Sequence, residues 1–259
     1  MNKSLIVLSP LLPGESLSSL LYRLSDVAGY HSQQVVIQLC RERLTQKDRV
    51  TYPFNSDTFE IISELTRIEA EALYRASIQF FAFALVPPHK DKQRLITLPS
   101  GHEVPVFPDY GAIRTHLFPD SNVQFCPFCL KGSPHHHLAW TPRVSVVCLT
   151  HQCLLVQRCP GCGKKVRVQD IVRGRCQECQ FCLADAPVIS VADDEFGLFS
   201  QSAIQYWLGT TPRPDNYDLY SLLEQPPSAL YYFLDGLRRF LMGWEWKYLY
   251  QSATVKPST

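Results

Sequence analysis

Residues 126–179 read CPFCLKGSPHHHLAWTPRVSVVCLTHQCLLVQRCPGCGKKVRVQDIVRGRCQEC, and this stretch decides how the chain folds. Nine of the ten cysteines lie between Cys126 and Cys182, and most of them form pairs separated by two residues. This spacing lets a tight turn aim both side chains at one ion, while backbone amides of the turn hydrogen-bond the thiolates. The stretch therefore predicts metal sites built from pairs of turns.

The pairs sort into two sets of four ligands. In the first set a C-x2-C pair is followed, eighteen residues later, by a C-x2-H pair; in the second set two C-x2-C pairs lie thirteen residues apart. Because four protein ligands close a tetrahedral zinc site, we expect two structural Zn²⁺ ions, without which the segment unfolds. The predicted ligands are Cys126, Cys129, Cys148 and His151 for the first ion and Cys159, Cys162, Cys176 and Cys179 for the second.

Some assignments in this segment leave alternatives open. Cys182 is an alternative to Cys176, because Cys179 and Cys182 also form a C-x2-C pair, although Gly174 favours Cys176 as the start of a turn. The tract His135-His136-His137 looks like a metal-binding run, but in the long loop of the first set we expect a solvated or stacking role. A disulfide framework, the alternative to zinc, requires an oxidising compartment, and the chain shows no export signal.

Composition excludes several classes of protein. With 25 basic and 24 acidic residues among 259, the chain is not a polycation that coats DNA. No stretch approaches the ~20 apolar residues that span a bilayer. Prolines interrupt the short apolar run of residues 1–17, so we reject a signal peptide and expect a cytoplasmic protein.

Charge is distributed unevenly along the chain. Residues 126–187 carry eight basic and three acidic side chains, whereas residues 1–125 carry a net charge of −1 and residues 188–259 a net charge of −3. The basic excess can contact phosphate or an acidic partner, or it can simply solvate a small domain. The candidate nucleic-acid contacts are Lys164, Lys165, Arg167, Arg173 and Arg175.

Helical spacing dominates outside the cysteine segment. Apolar residues predict a helix that begins after an N-cap at Ser16, and a second helix over 32–44 that follows a break at Gly29. This order is typical of a helix-turn-helix, although ordinary helical hairpins share it. A similar unit follows, in which Thr66 and Glu69 predict a capping box before a helix that ends at Ala76.

The sequence thus predicts a mainly α chain with small zinc-ribbon or zinc-knuckle elements. After the zinc segment we expect helices over about 196–208 and 228–250, joined by a proline-rich linker. The predicted parts are an N-terminal helix-turn-helix-like domain over 1–90, an extended connector over 91–125, a tandem zinc-binding domain over 126–187 and a C-terminal helical region over 188–259.

The order of these motifs resembles the TniQ/TnsD family of transposon target-selection proteins. The resemblance rests on CPFCL, HHHLAW, RVSVVCLTHQCLLVQRCPGCG and GRCQECQFCLADAP, and on the N-terminal stretches GESLSSLLYRLSDVAG and DTFEIISELTRIEAEALYRASI. It covers roughly residues 10–187. In that family the position of Cys182 is usually not a ligand, which supports Cys176 and Cys179 in the second set.

The resemblance implies a non-catalytic adaptor that connects a target-recognition element to the AAA+ ATPase TnsC in the prokaryotic cytosol or nucleoid. Long members carry C-terminal domains that read an attachment site. Only about 70 residues follow the zinc segment here, and their net charge is negative. We therefore expect a short TniQ that bridges a Cascade-like, RNA-guided effector of a CRISPR-associated transposon to TnsC. We expect the helical unit to dock on protein, either the effector or a second copy as a homodimer, and DNA or RNA binding by the protein alone to be weak.

Two other classes of function compete with the adaptor. One is a sequence-specific DNA-binding target selector, with the 32–44 helix in the major groove and Gln33, Gln34, Gln38 and Arg41 as readers. The other is an enzyme, such as a zinc hydrolase or nuclease. Closed ligand sets disfavour an enzyme, and the sequence holds neither paired carboxylates at a suitable spacing nor a phosphate-binding loop.

Overall fold

The computed structural model describes residues 9–27, 29, 53, 55–86, 94–107 and 123–213, and the structural statements below concern these residues. They form short helices and two small antiparallel sheets. Within these ranges, no helix combines the length and the apolar character that crossing a membrane requires. The helices are α1 (Leu17–Val27), α2 (Ser56–Thr66), α3 (Ala70–Ala76), α4 (Ala82–Leu85), α5 (Pro127–Gly132), α6 (Val168–Val172) and α7 (Glu195–Trp207), with 3-10 turns at Ile78–Phe81, Leu138–Trp140 and Leu183–Asp185; the strands are β1 (Arg94–Thr97), β2 (Glu103–Val106), β3 (Val147–Cys148) and β4 (Cys153–Leu154).

Two predicted helices lie outside the described residues. These are the 32–44 helix, with its candidate readers Gln33, Gln34, Gln38 and Arg41, and the 228–250 helix. The helix-turn-helix and the domain limits therefore stay predictions. The helix expected over about 196–208 is confirmed as α7.

The first core lies between α1, α2 and α3. Leu17, Leu20, Leu21 and Leu24 are buried along one face of α1, as their spacing predicts. The Ser16 side chain accepts a hydrogen bond of 3.3 Å from the Ser19 amide, so its predicted capping role is confirmed. Buried residues of the other two helices complete this core, chiefly Phe59, Ile62, Leu65 and Leu73.

The predicted capping box at Thr66 is wrong. Thr66 ends α2 instead of preceding α3, and its hydroxyl donates to the Ile62 carbonyl at 2.8 Å. The chain then turns at Arg67, which has a left-handed φ of 58° and donates its amide to Ser63. Glu69 precedes α3 without a side-chain hydrogen bond to the helix. The threonine is occupied by its own helix, so it cannot cap the next one.

Residues 94–106, expected to be extended, form a hairpin in which Arg94 pairs with Val106 and Thr97 with Glu103. Its apolar face joins the first core, because Ile96 and Val106 are buried there. The Tyr74 hydroxyl fixes the hairpin to α3 by donating to the Pro105 carbonyl at 2.8 Å.

A second core joins the N-terminal helices to α7. Phe81, Ala82 and Ala84 are buried against one face of α7, which contributes Phe199 and Trp207. The helix after the zinc segment therefore packs on residues that precede it by more than a hundred positions.

A third core surrounds the cysteine segment. Its aliphatic and aromatic members include Phe125, Val166, Ile171 and Leu183, and they pack directly against buried cysteines. Helix α1 packs against α6 at its edge, where Asp26 and Arg173 form a two-bond ion pair with N–O distances of 2.9 and 3.2 Å. The N-terminal helix and the second half of the cysteine segment are thus in contact.

Candidate metal centres

Three local elements bring the first set of side chains together. Cys126 stands at the N-cap of α5 with Pro127 after it, and Cys129 follows one turn later. Cys148 ends β3, and His151 lies in the turn between β3 and β4. From His151 Nδ1, the sulfur atoms of Cys126, Cys129 and Cys148 are 3.5, 3.2 and 3.6 Å away.

The first cluster is half enclosed. Cys126 and Cys148 are buried, whereas His151 is exposed and its ring packs at 5.5 Å from that of Phe128. Hydrogen bonds from Cys129 and Cys148 hold the pKa of Cys126 far below its ordinary value, and the Cys129 amide also donates to it. The cluster is therefore arranged to hold a thiolate.

Two turns form the second cluster. The turn at 159–163 closes with a hydrogen bond of 2.8 Å from the Gly163 amide to the Cys159 carbonyl, and the turn at 176–180 closes in the same way. The sulfurs of Cys159 and Cys179 are 3.5 Å apart, and those of Cys162 and Cys176 are 3.7 Å apart. Cys162 and Cys179 are exposed, so this cluster lies nearer the surface than the first.

Backbone amides point at the sulfurs of the second cluster. Cys159 accepts from the amides of Cys162 and Gly161, Cys162 from Lys164, and Cys179 from Phe181. Gly161 also provides the space for the second turn, because a Cβ there would lie 3.2 Å from the Cys179 sulfur. Burial raises the pKa of Cys159 to about 12, so a bound cation is needed to keep this sulfur a thiolate at neutral pH.

Both clusters fit a tetrahedral zinc ion. In each, four ligand atoms lie within 4.8 Å of one another, and the sulfur–nitrogen and sulfur–sulfur distances given above are near the ~3.7 Å edge of a zinc–thiolate tetrahedron. The nine cysteines that the structure describes are all free of disulfide bonds. Cys176, and not its alternative Cys182, belongs to the second cluster. Each cluster can therefore hold one metal ion, with a donor set that zinc prefers.

A fifth sulfur adjoins the first cluster. Cys153 is fully buried opposite Cys148 in the β3–β4 pair, and its sulfur lies 3.6 Å from that of Cys126. Burial raises the pKa of Cys153 to about 12, so the group stays a thiol and can donate to the Cys126 thiolate. No motif of the sequence predicts this contact, because it depends on the register of the two strands.

The histidine tract packs against the N-terminal turn. His135 and His137 stack with ring centroids 4.4 Å apart, which confirms the stacking role, but His136 is almost fully buried, so a solvated role is wrong. The Ser16 side chain lies 2.9 Å from His136 Nδ1, and Leu138 donates its amide to the Gly14 carbonyl. Burial and the neighbouring histidines lower the pKa of His136 to about 3, and burial lowers that of His137 to about 4.

The candidate nucleic-acid contacts lie in different surroundings. Lys164 forms an ion pair of 2.6 Å with Glu178, and Arg173 is paired with Asp26. Arg175 is exposed beside the Gln180 carbonyl. Lys165 and Arg167 are exposed and line a groove with Arg158, a residue that the sequence analysis did not single out. Its position, one residue before the CPGC turn, carried no motif of its own.

In a comparison with protein families, residues 7–155 match the TniQ model. The chain belongs to the TniQ family. No curated protein matches it. The TniQ match includes α1, the histidine tract and the whole first cluster, and it ends four residues before Cys159. TniQ proteins are non-catalytic accessory proteins of transposition, which associates this chain with transposon target selection.

Proposed function

We propose that this TniQ protein is a non-catalytic adaptor that links an RNA-guided, Cascade-like effector to the AAA+ ATPase TnsC and so directs DNA insertion in the prokaryotic cytosol. The observation that supports it most directly is the family match together with two closed clusters. Each cluster uses four side chains of the chain itself, so a bound zinc ion has no position for water or substrate. Zinc in such sites stabilises the fold and does not catalyse hydrolysis.

The charge distribution also favours protein partners for the N-terminal helical unit. Residues 1–125 carry a net charge of −1, and phosphate contacts depend mainly on Lys and Arg. In this proposal the unit docks on the effector or on a second copy of the chain, while TnsC supplies the ATPase activity. DNA at the target site is read by the guide RNA.

The test is a reconstitution with purified effector, target DNA, TnsC and ATP. We expect TnsC to be retained on target-bound effector only when the TniQ protein is present. Cys182→Ser, which alters a thiol outside both clusters, should act like the wild type, whereas Cys126→Ser should fail. Equal retention of TnsC without the TniQ protein would contradict the adaptor role.

A second assay separates the adaptor from a sequence-specific DNA reader. The protein alone is titrated against attachment-site and scrambled duplexes at ~150 mM salt. Sequence-selective binding at ~10⁻⁸ M or tighter would favour the DNA reader, since specific readers reach that range. We expect weak binding without preference for either duplex.

A further inference from the structure

A groove of about 490 Å³ opens beside the second cluster. One wall comes from the 158–167 segment, which carries four of the cationic side chains of the zinc segment. The other wall comes from the 176–179 turn and the start of α6. The groove adjoins the metal-binding turns and is open to solvent.

Strand geometry places three cations of this groove in one row. Arg158 pairs with Lys165 across an antiparallel bridge, and the Cys159 amide donates to the Lys164 carbonyl beside it. This pattern belongs to pairs without mutual hydrogen bonds, whose Cα atoms lie only ~4.5 Å apart and whose side chains share a face.

Alternation of exposed and buried side chains along the extended residues 165–167 adds Arg167 to this row. Val166 is fully buried, whereas Lys165 and Arg167 on either side of it are exposed. Residues two apart on an extended chain point to the same side, about 6.6 Å from each other. Arg158, Lys165 and Arg167 therefore form a continuous row, called the cation row below.

The acidic residues of the groove, Asp170 and Glu178, form no ion pair with this row. Glu178 is paired with Lys164. Asp170 is buried, and its two carboxylate oxygens accept the amides of Arg167 and Gln177 at 2.8 and 3.0 Å.

Within the described ranges, no member of the row forms an ion pair with a carboxylate. The Arg158 guanidinium donates to the Gly163 carbonyl at 2.9 Å, but this neutral partner leaves the positive charge of the row in place. Like charges directly opposite each other repel, so an external anion would offset this repulsion.

We propose that the cation row binds the phosphodiester backbone of duplex DNA. Arginine and lysine in a row are suited to successive phosphates, and such contacts carry no sequence information. Single-stranded nucleic acid is usually bound by aromatic side chains that stack on the bases, and none of the described residues that line the groove is aromatic. This inference deepens the proposed adaptor role, because an adaptor at a target site lies beside the DNA that receives the insertion.

A structural explanation for the same cations is that they balance the metal cluster. Four thiolates and one Zn²⁺ carry a formal charge of about −2, and Cys162 borders the groove. On that explanation, removing the row weakens zinc binding and leaves DNA binding unchanged. The two explanations therefore predict opposite results for one variant.

The experiment compares two triple variants of the zinc-loaded protein with equal loss of charge. The row variant is Arg158→Gln, Lys165→Gln and Arg167→Gln; the control is Arg75→Gln, Lys131→Gln and Arg143→Gln, three exposed basic side chains that do not line the groove. Fluorescence anisotropy measures binding to a mixed-sequence DNA duplex and to a single strand of equal length, over a range of salt concentrations. Zinc content and thermal melting are measured on the same samples.

We expect the row variant to bind duplex about ten-fold or more weakly, and the slope of log K against log salt to fall by about two to three, since each phosphate contact contributes ~0.9. The control should lose less than about three-fold, both variants should keep two zinc ions, and the wild type should prefer duplex. Equal losses in both variants would overturn the proposal, as would zinc loss with unchanged DNA binding or a preference for the single strand. Because TnsC is absent from this assay, its failure is distinct from failure of the adaptor role.

Discussion

The two metal clusters share the same turn chemistry but serve different parts of the molecule. The first is half enclosed, with a fifth sulfur behind it, and it holds the loop whose buried histidines contact the N-terminal turn. The second is more exposed, lies outside the TniQ match, and supports a charged groove. One ligand chemistry thus stabilises an interior junction in one place and a surface in another. Both clusters nevertheless border a single core.

The largest effect is expected from Cys126→Ser in the first cluster. A structural zinc contributes on the order of 10–16 kcal/mol of apparent binding free energy, which is comparable with or larger than the ~5–15 kcal/mol net stability of a domain. We expect loss of one zinc ion and an unfolded or insoluble central segment, measured by metal analysis and near-ultraviolet circular dichroism. Cys182→Ser is the control and should keep both ions. A Cys126→Ser protein that melts like the wild type would show that the first cluster is not structural.

Cys159→Ser removes a ligand of the second, more exposed cluster. We expect loss of the second ion and of amide protection over residues 157–186 in hydrogen exchange, with the first cluster still loaded. The physical reason is that no side chain of the second cluster ligates the first. Loss of both ions together would mean that the shared core makes the two clusters one cooperative unit.

The buried histidine at the first cluster predicts a pH dependence. His136 has its pKa lowered to about 3 from 6.5, so below pH ~6.5 the unfolded chain takes up a proton that the folded chain does not. Stability is therefore lost as the pH falls from about 6.5 towards the folded pKa, by roughly 1.4 kcal/mol per pH unit for this group.

Zinc release also lowers stability in acid, so the pH dependence of the wild type is compared with that of a variant that lacks the histidine. Chemical unfolding of wild type and of His136→Gln is followed at several pH values between 5 and 7. The variant should be less stable at pH 7 but should show the shallower slope. Parallel slopes would contradict burial of a neutral histidine.

The smallest effect concerns the contact between α1 and the second half of the cysteine segment. Asp26 and Arg173 form a partly exposed ion pair, and such pairs contribute ~1 kcal/mol or less. A double-mutant cycle with Asp26→Asn and Arg173→Gln should give a coupling energy of about 0.5 kcal/mol that decreases with added salt. A coupling energy of zero at low salt would show that the ion pair adds no stability to the contact between α1 and α6.

Local spacing was enough to predict the metal clusters but not their surroundings. A C-x2-C turn carries its geometry within four residues, so the eight side chains that the structure brings together were evident from sequence. Contacts between distant segments were not evident. The contact between the sulfurs of Cys153 and Cys126, and the pairing of Arg158 with Lys165, depend on which residues the extended segments pair. The burial of His136 depends on a turn 120 residues away.

Helix boundaries show the same limit at short range. The amphipathic pattern of residues 17–27 predicted α1, because one apolar face requires a core. The predicted capping box at Thr66 failed, because α2 extends to that residue and uses its hydroxyl. A local motif is ambiguous when two adjacent helices compete for the same side chain.

Native mass spectrometry of the purified chain tests the central claim most directly, namely that two closed zinc centres form the core of the cysteine segment. We predict two zinc ions per chain with all cysteines reduced, and one ion in each of the Cys126→Ser and Cys159→Ser proteins that can be recovered in soluble form. A folded wild-type chain without zinc, and with its cysteines joined in disulfides, would contradict it.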